Sequence, residues 1–284
     1  MEIVPGKLVG KGANAEVYDL GSGKAVKLYF KGCGRDAVEY EFYKTLEVCE
    51  TGLPAPRVYE IAEHGGRYGI VMDKLEGRTL LEIMFTHIVQ NKNMPPDELF
   101  SSPEILGSVK IIARLLRDVH SVHAVLKSNV KDTLRRAVAE NKYFTGAEKE
   151  RVRRMVDSLP DGDSVCHGDP NPANIISHDG QYSLIDWVDG TSGHPFYDLT
   201  HFMLTTKYAE LPPNTDGAVA AAVNGSTETI VEAFLSEYQR LTGIDYAGLS
   251  DWEIPVCAER LNASGVSEGS KEQILRDVRS ALRL

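Results

Sequence analysis

Three oxygen-bearing side chains fall at fixed intervals in one stretch, Cys166 to Trp187, which reads CHGDPNPANIISHDGQYSLIDW. Asp169 follows a short apolar run, Asn174 comes five residues later, and Asp186 closes another apolar run twelve residues beyond Asn174. Between them, Ile175-Ile176 and the turn at His178-Asp179-Gly180 outline a hairpin. A carboxylate just after a strand can take a proton from an attacking hydroxyl. An amide and a second carboxylate flanking the hairpin can hold magnesium against a triphosphate. The donors are hard oxygens, which suits magnesium and not zinc. Asp, Asn, Pro and Gly also build ordinary turns, but typed positions at fixed separations between two strands favour the chemical reading.

The interval from Asp169 to Asn174 equals that between base and metal-binding Asn in the kinase catalytic loop. HGDPNPAN followed by IDW resembles the aminoglycoside phosphotransferase and choline-kinase-like family of small-molecule kinases. The resemblance implies an α+β, bilobed protein-kinase-like fold. A nucleotide-binding lobe of antiparallel sheet plus one helix would span residues 1–73, and a larger, mainly helical catalytic and acceptor-binding lobe residues 74–284. ATP or GTP would sit in the cleft, with Mg2+ on Asn174 and Asp186 and with Asp169 as base. His167 and Asp198 would support the loop, Asp198 through backbone amides; a helix N-cap is the other role open to Asp198. Asp198 lies twelve residues past Asp186, too short for the segment with which a protein kinase holds peptide, so the expected acceptor is a small-molecule hydroxyl.

The elements that must position these groups follow in order. Residues 3 to 30 read as strand, Gly turn, strand, turn, strand, with GKGANAEV at Gly10 to Val17 and Ala25-Val26-Lys27 on the third strand. Amides of a Gly-rich hairpin, here Gly10 and Gly12, can cover phosphates that Lys27 neutralises. Ala15 stands where the kinase pattern has a third glycine. Arg35 to Glu50 reads as a helix with Val38, Glu39, Phe42, Tyr43 and Leu46 on one face; the resemblance implies that a helix glutamate pairs with Lys27, and on that face it is Glu39 rather than Glu41. Strands over Arg57 to Glu63 and Arg67 to Asp73 lead into Asp73-Lys74-Leu75, where the resemblance puts the adenine contacts: Met72 behind the ring, Asp73 C=O and Leu75 N–H bonding it.

A polar, Pro-rich insert through about Pro103 is either a lid or a surface loop. Ile105 to Ala124 is strongly periodic and should form the buried spine of the second lobe. It ends in His120 and His123, read as structural because no carboxylate at suitable spacing completes a metal site. Helices are expected over Lys131 to Tyr143, Thr145 to Leu159, Phe202 to Ala209, Thr227 to Leu241 and Lys271 to Leu282, the second of these opening on a capping box. Asp216, Glu228, Glu232, Glu237, Asp251 and Glu259 are the carboxylates from which an acceptor pocket could draw.

With 284 residues, 42% of them hydrophobic, the chain can bury a large core. Forty-one acidic against thirty-one basic residues give a charge of −10, which argues against a nucleic-acid partner. Neither a basic, apolar leader in Met1 to Gly10 nor a membrane-length apolar run is evident, so no membrane partner and a cytoplasmic location are expected. Cys33, Cys49, Cys166 and Cys257 lack CxxC spacing and read as thiols. The acceptor stays open between an aminoglycoside and a metabolic alcohol such as choline, homoserine or a sugar. A catalytically silent nucleotide-binding scaffold is the reading from another class.

Overall fold

The structure, a computed structural model, describes residues 3–12, 14–211 and 215–282. In chain order the elements are β1 (Leu8–Lys11), β2 (Ala15–Gly21), β3 (Lys24–Tyr29), α1 (Arg35–Glu50), β4 (Val58–His64), β5 (Arg67–Asp73) and β6 (Arg78–Thr79). There follow α2 (Leu80–Gln90), α3 (Pro96–Phe100), α4 (Pro103–His120), α5 (Val130–Glu140), α6 (Gly146–Ser158) and β7 (Ser164–Cys166). Next come β8 (Ile175–His178), β9 (Gln181–Leu184), β10 (Thr191–Gly193), α7 (Phe196–Lys207), α8 (Gly217–Gly225), α9 (Thr227–Thr242), α10 (Glu253–Asn262) and α11 (Glu268–Leu282). They form two compact units, Met1–Thr79 with Ala173–Gly190, and Leu80–Pro172 with Thr191–Leu284.

The first unit is built on a five-stranded antiparallel sheet ordered β1-β2-β3-β5-β4. Alternation along β3 sends Val26 and Leu28 to one face, against Ile3, Ala62 and Val71, and Tyr29 to the other, against Val38 of α1 with Ile70 and Val58. Lys27, two residues before Tyr29, therefore projects on the α1 side. The hairpin β8–β9, expected within residues 74–284, groups instead with this first unit. Arg78 and Thr79 of β6 pair with Ser177 and Ile176 of β8, which extends the hairpin to three strands. Gly77 makes that pairing feasible: its φ is +122° and a Cβ there would run into the Ser177 carbonyl.

The second unit is helical around α4, whose Ile105, Val109, Ile112, Ala113, Leu116 and Val119 are all buried, as their spacing requires. α9 supplies Ile230, Phe234 and Tyr238, and the rings of Phe202 and Phe234 lie 4.1 Å apart. A two-stranded sheet, β7 with β10, pairs Cys166 with Thr191. The Thr145/Glu148 capping box is formed at the start of α6. The insert contains α3, whose Leu99 and Phe100 are buried. Helix α7 begins at Phe196, ahead of the expected Phe202, and α8 and α10 were not signalled by periodicity. Among the described residues no helix is long and apolar enough to cross a membrane.

Candidate active site

In the first unit the Lys27 ammonium lies between two carboxylates, 2.7 Å from Glu41 Oε1 and 2.9 Å from Asp186 Oδ1. Burial opposes its charge, but Asp186 and Glu41 more than compensate, so its pKa is raised. The Tyr29 ring lies 5.6 Å from the ammonium, and burial with Glu41 close by pushes its hydroxyl pKa up.

The partner of Lys27 is thus Glu41 and not Glu39, which instead takes Arg35 Nε at 2.7 Å on the helix surface. The inward face of α1 is Val38, Glu41, Lys44, Thr45 and Val48, whereas Tyr40 and Tyr43 are exposed. Lys44, one turn on, donates to the Gly190 carbonyl at 2.5 Å. Helix α1 therefore holds both the strand lysine and the end of the segment that follows Asp186.

Asn174 and Asp186 emerge at the same end of the β8–β9 hairpin, since Ile175 pairs with Leu184 and Ile185 N donates to Asn174 O at 2.9 Å. Asp186 has left-handed backbone angles, φ 65° and ψ 63°. That region is sparsely populated for residues other than glycine and is commonest at functional sites. The Gly turn joins β1 to β2, where Gly10 faces Val17 and Gly12 N donates to Ala15 O at 2.9 Å; Ala15 itself is buried. After β5, Asp73 accepts from Tyr59 Oη at 2.7 Å and Arg57 N at 3.1 Å, and Lys74 N donates to Gly23 O at 2.9 Å. Met72 packs beside Val58 and Ile70, and Leu75 lines a cavity of about 300 Å³ with Lys74, Glu76, Ile176, His178, Gln181 and Ser183.

In the second unit Asp169 sits in a loop fixed through its backbone. The fully buried Asp198 carboxylate accepts from His167 N at 2.7 Å and Gly168 N at 2.8 Å, and from His120 Nε2 at 3.0 Å. Burial raises the Asp198 pKa, yet the His120 hydrogen bond, the charges of His120 and His167 and the His167 amide outweigh it, and the carboxyl stays low. Gly168 takes φ +85°, a turn that a side chain would resist. Asp169 N donates to His167 Nδ1 at 3.2 Å, and Asn171 Nδ2 donates to Asp169 Oδ2 at 2.8 Å.

His120 is thus structural, but it does have a carboxylate partner, one 78 residues away in sequence, and its Nδ1 lies 2.7 Å from Tyr238 Oη. Both ring nitrogens of His120 are thereby engaged, Nε2 by Asp198 and Nδ1 by Tyr238. Cys166 Sγ lies within 4.8 Å of ligand atoms of His120 and Asp198. Those atoms are already engaged in hydrogen bonds, so this cluster is a brace. His123 is exposed and pairs with Asp163 at 2.8 Å.

Lys44 and Tyr238 are not singled out by the sequence, and Glu41 is placed there second to Glu39, whereas the structural role expected of His120 is the one it has. A spacing of 38, 41, 45, 48 bracketed by valines was the available signal for Glu41; nothing local marks Lys44 or Tyr238.

The phosphotransferase enzyme family model matches residues 6–238. Acyl-CoA dehydrogenase family member 11 of Pongo abelii is 28% identical over 121 residues, 40% of this chain and only 15% of that protein's length. An aminoglycoside-3'-phosphotransferase of type VIII superposes with a TM-score of 0.53 at 21% identity, covering 89% of this chain and 91% of that one. Amicoumacin kinase hAmiN, in complex with AMP-PNP, Ca2+ and Ami, superposes with a TM-score of 0.56 at 12% identity, covering 97% and 88%. These likenesses establish a protein-kinase-like fold, and with a match over most of its length the chain belongs to the phosphotransferase enzyme family.

Proposed function

We propose that this chain transfers the γ-phosphate of ATP or GTP to a hydroxyl of a small molecule. The observation that carries the reading is the Lys27 ammonium held between Glu41 at 2.7 Å and Asp186 at 2.9 Å. An ammonium fixed in this way is preorganised to meet phosphate oxygens without further reorganisation. Residues 1–73 are its nucleotide-binding part: Gly10 and Gly12 cover the phosphates, while Met72, Asp73 and Leu75 meet the base.

The donors at the open end of the β8–β9 hairpin fit magnesium. Asp186 offers a carboxylate whose side chain is 38% exposed, and Asn174 an amide oxygen, both hard ligands. Asn174 and Asp186 would hold the ion, which when bound would neutralise charge on the triphosphate. Asp169 orients the acceptor hydroxyl and takes its proton as the oxygen attacks phosphorus in line. Asp198 and His167 keep that carboxylate in place through the loop backbone. The acceptor class follows the family: an aminoglycoside-like antibiotic or a metabolic alcohol.

Release of ADP or GDP in magnesium, across aminoglycosides, amino alcohols, hydroxy acids and sugars, tests the reading. Acceptor-dependent release that Asp169→Asn lacks supports it. Tight nucleotide binding with no release from any acceptor favours a scaffold.

A further inference from the structure

Strand β3 carries Lys27 and Tyr29 two residues apart, so both side chains leave the sheet on the α1 side. Tyr29 packs in one cluster with Val38, and Glu41 follows Val38 by one turn on the same inward stripe of α1. The Tyr29 ring lies 5.6 Å from the Lys27 ammonium, which donates to Glu41 Oε1 at 2.7 Å. Lys27, Tyr29 and Glu41 thus converge between the sheet and the helix of one unit.

The Tyr29 hydroxyl is the odd group among them. Tyr29 is 5% exposed, and its Oη has no hydrogen-bond partner among the described residues. Burying a hydroxyl unpaired is costly, and a phenol inside a protein usually finds an acceptor. Burial, followed by the charge of Glu41, raises its pKa, so it keeps its proton and remains a donor. The neighbouring carboxylate has two oxygens, each able to accept, and Lys27 is bonded to Oε1. A donor without an acceptor therefore stands beside a carboxylate that can take a second bond. Phosphate oxygens at Lys27 compete with Glu41 for the three N–H groups of the ammonium. A second donor on Glu41 keeps that carboxylate in place against this competition.

We propose that Tyr29 is a positioning residue for the nucleotide: when phosphate engages Lys27, the Tyr29 hydroxyl donates to Glu41 and fixes that carboxylate as the anchor of the ammonium. The inference rests on the reading that Lys27 meets the phosphates of a nucleotide.

Tyr29→Phe removes the hydroxyl and leaves the ring. In nucleotide-free protein it takes away a buried polar atom that has no partner, so the melting temperature should hold or rise. Affinity for ATP and GTP in magnesium, read by calorimetric titration without turnover, should nevertheless fall about tenfold, the lower end for a hydrogen bond to a charged group. In turnover, KM for the nucleotide should rise by a similar factor while kcat moves less. A hydroxyl that serves packing alone gives the opposite pattern, lower stability with affinity unchanged.

The same substitution made in Glu41→Gln separates the pair from its surroundings. There Tyr29→Phe should cost about twofold or less, because the charged acceptor is gone; this comparison holds even where Tyr29→Phe lowers stability. Equal affinity in wild type and Tyr29→Phe, or a loss as large in the Glu41→Gln background as in wild type, overturns the proposal and leaves the kinase reading standing. Wild type that binds neither nucleotide overturns the kinase reading, and the proposal with it.

Discussion

Replacing Glu41 by Gln tests which carboxylate serves Lys27. At 2.7 Å the attraction between the two charges is about 6 kcal/mol at an effective dielectric constant of about 20. Most of that is offset by desolvation, because the Lys27 and Glu41 side chains are only 17% and 10% exposed. The remainder is that of a charge-assisted hydrogen bond, about 1.5–3 kcal/mol. With Glu41 neutral, the ammonium keeps one charged partner, Asp186, and is drawn toward it and away from the phosphates. Nucleotide kcat/KM should fall about ten- to a hundredfold. Glu39→Gln is the matched control: its Arg35 partner is 61% exposed, and such pairs contribute little. Steady-state kinetics with varied nucleotide, alongside direct nucleotide titration, reads both variants. A loss in Glu39→Gln equal to or larger than that in Glu41→Gln would refute the reasoning.

Asp198→Asn should lower stability by about 3–5 kcal/mol, because it breaks a buried charged network; denaturant unfolding measures it, and a loss below 1 kcal/mol would contradict the brace. Where that variant stays folded, nucleotide binding should persist while turnover falls, since Lys27 and Asp186 belong to the other unit. Gly77→Ala should cost about 2 kcal/mol or more through its positive φ and the clash with the Ser177 carbonyl; an unchanged melting temperature would show that the β6–β8 pairing bends without penalty. Glu237 gives a pH signature. The Arg240 hydrogen bond, opposed by burial and aided by Arg114, holds its pKa at about 2 against an ordinary 4.5. Its folded-state pKa is depressed, so its stabilisation is present in full above about pH 4.5 and lost as pH falls toward 2. The denaturant midpoint of Glu237→Gln should therefore lie below wild type at pH 7, and the gap should close between those values; a gap independent of pH would contradict the assignment.

What could be read from sequence was what is contiguous. Asn174 and Asp186 stand twelve residues apart at one end of a single hairpin, so that segment carries its own geometry. The Arg35–Glu50 helix was legible in extent, but its orientation was not. Hydrophobic periodicity assumes an apolar inward face, and here that face includes Glu41, Lys44 and Thr45 while Tyr40 and Tyr43 point to solvent. A helix that docks by charge is misread by a rule built on apolar burial. The brace on the Asp169 loop was half legible: Asp198 is near in sequence, whereas His120 and Tyr238 reach it from helices far along the chain.

The most direct test of phosphoryl transfer is nucleoside diphosphate release in magnesium by wild type, Asp169→Asn and Asp186→Ala, each with nucleotide affinity measured in parallel. Acceptor-dependent release by wild type is predicted, with Asp169→Asn binding nucleotide but turning over little and Asp186→Ala inactive. Equal release by all three proteins would contradict the account.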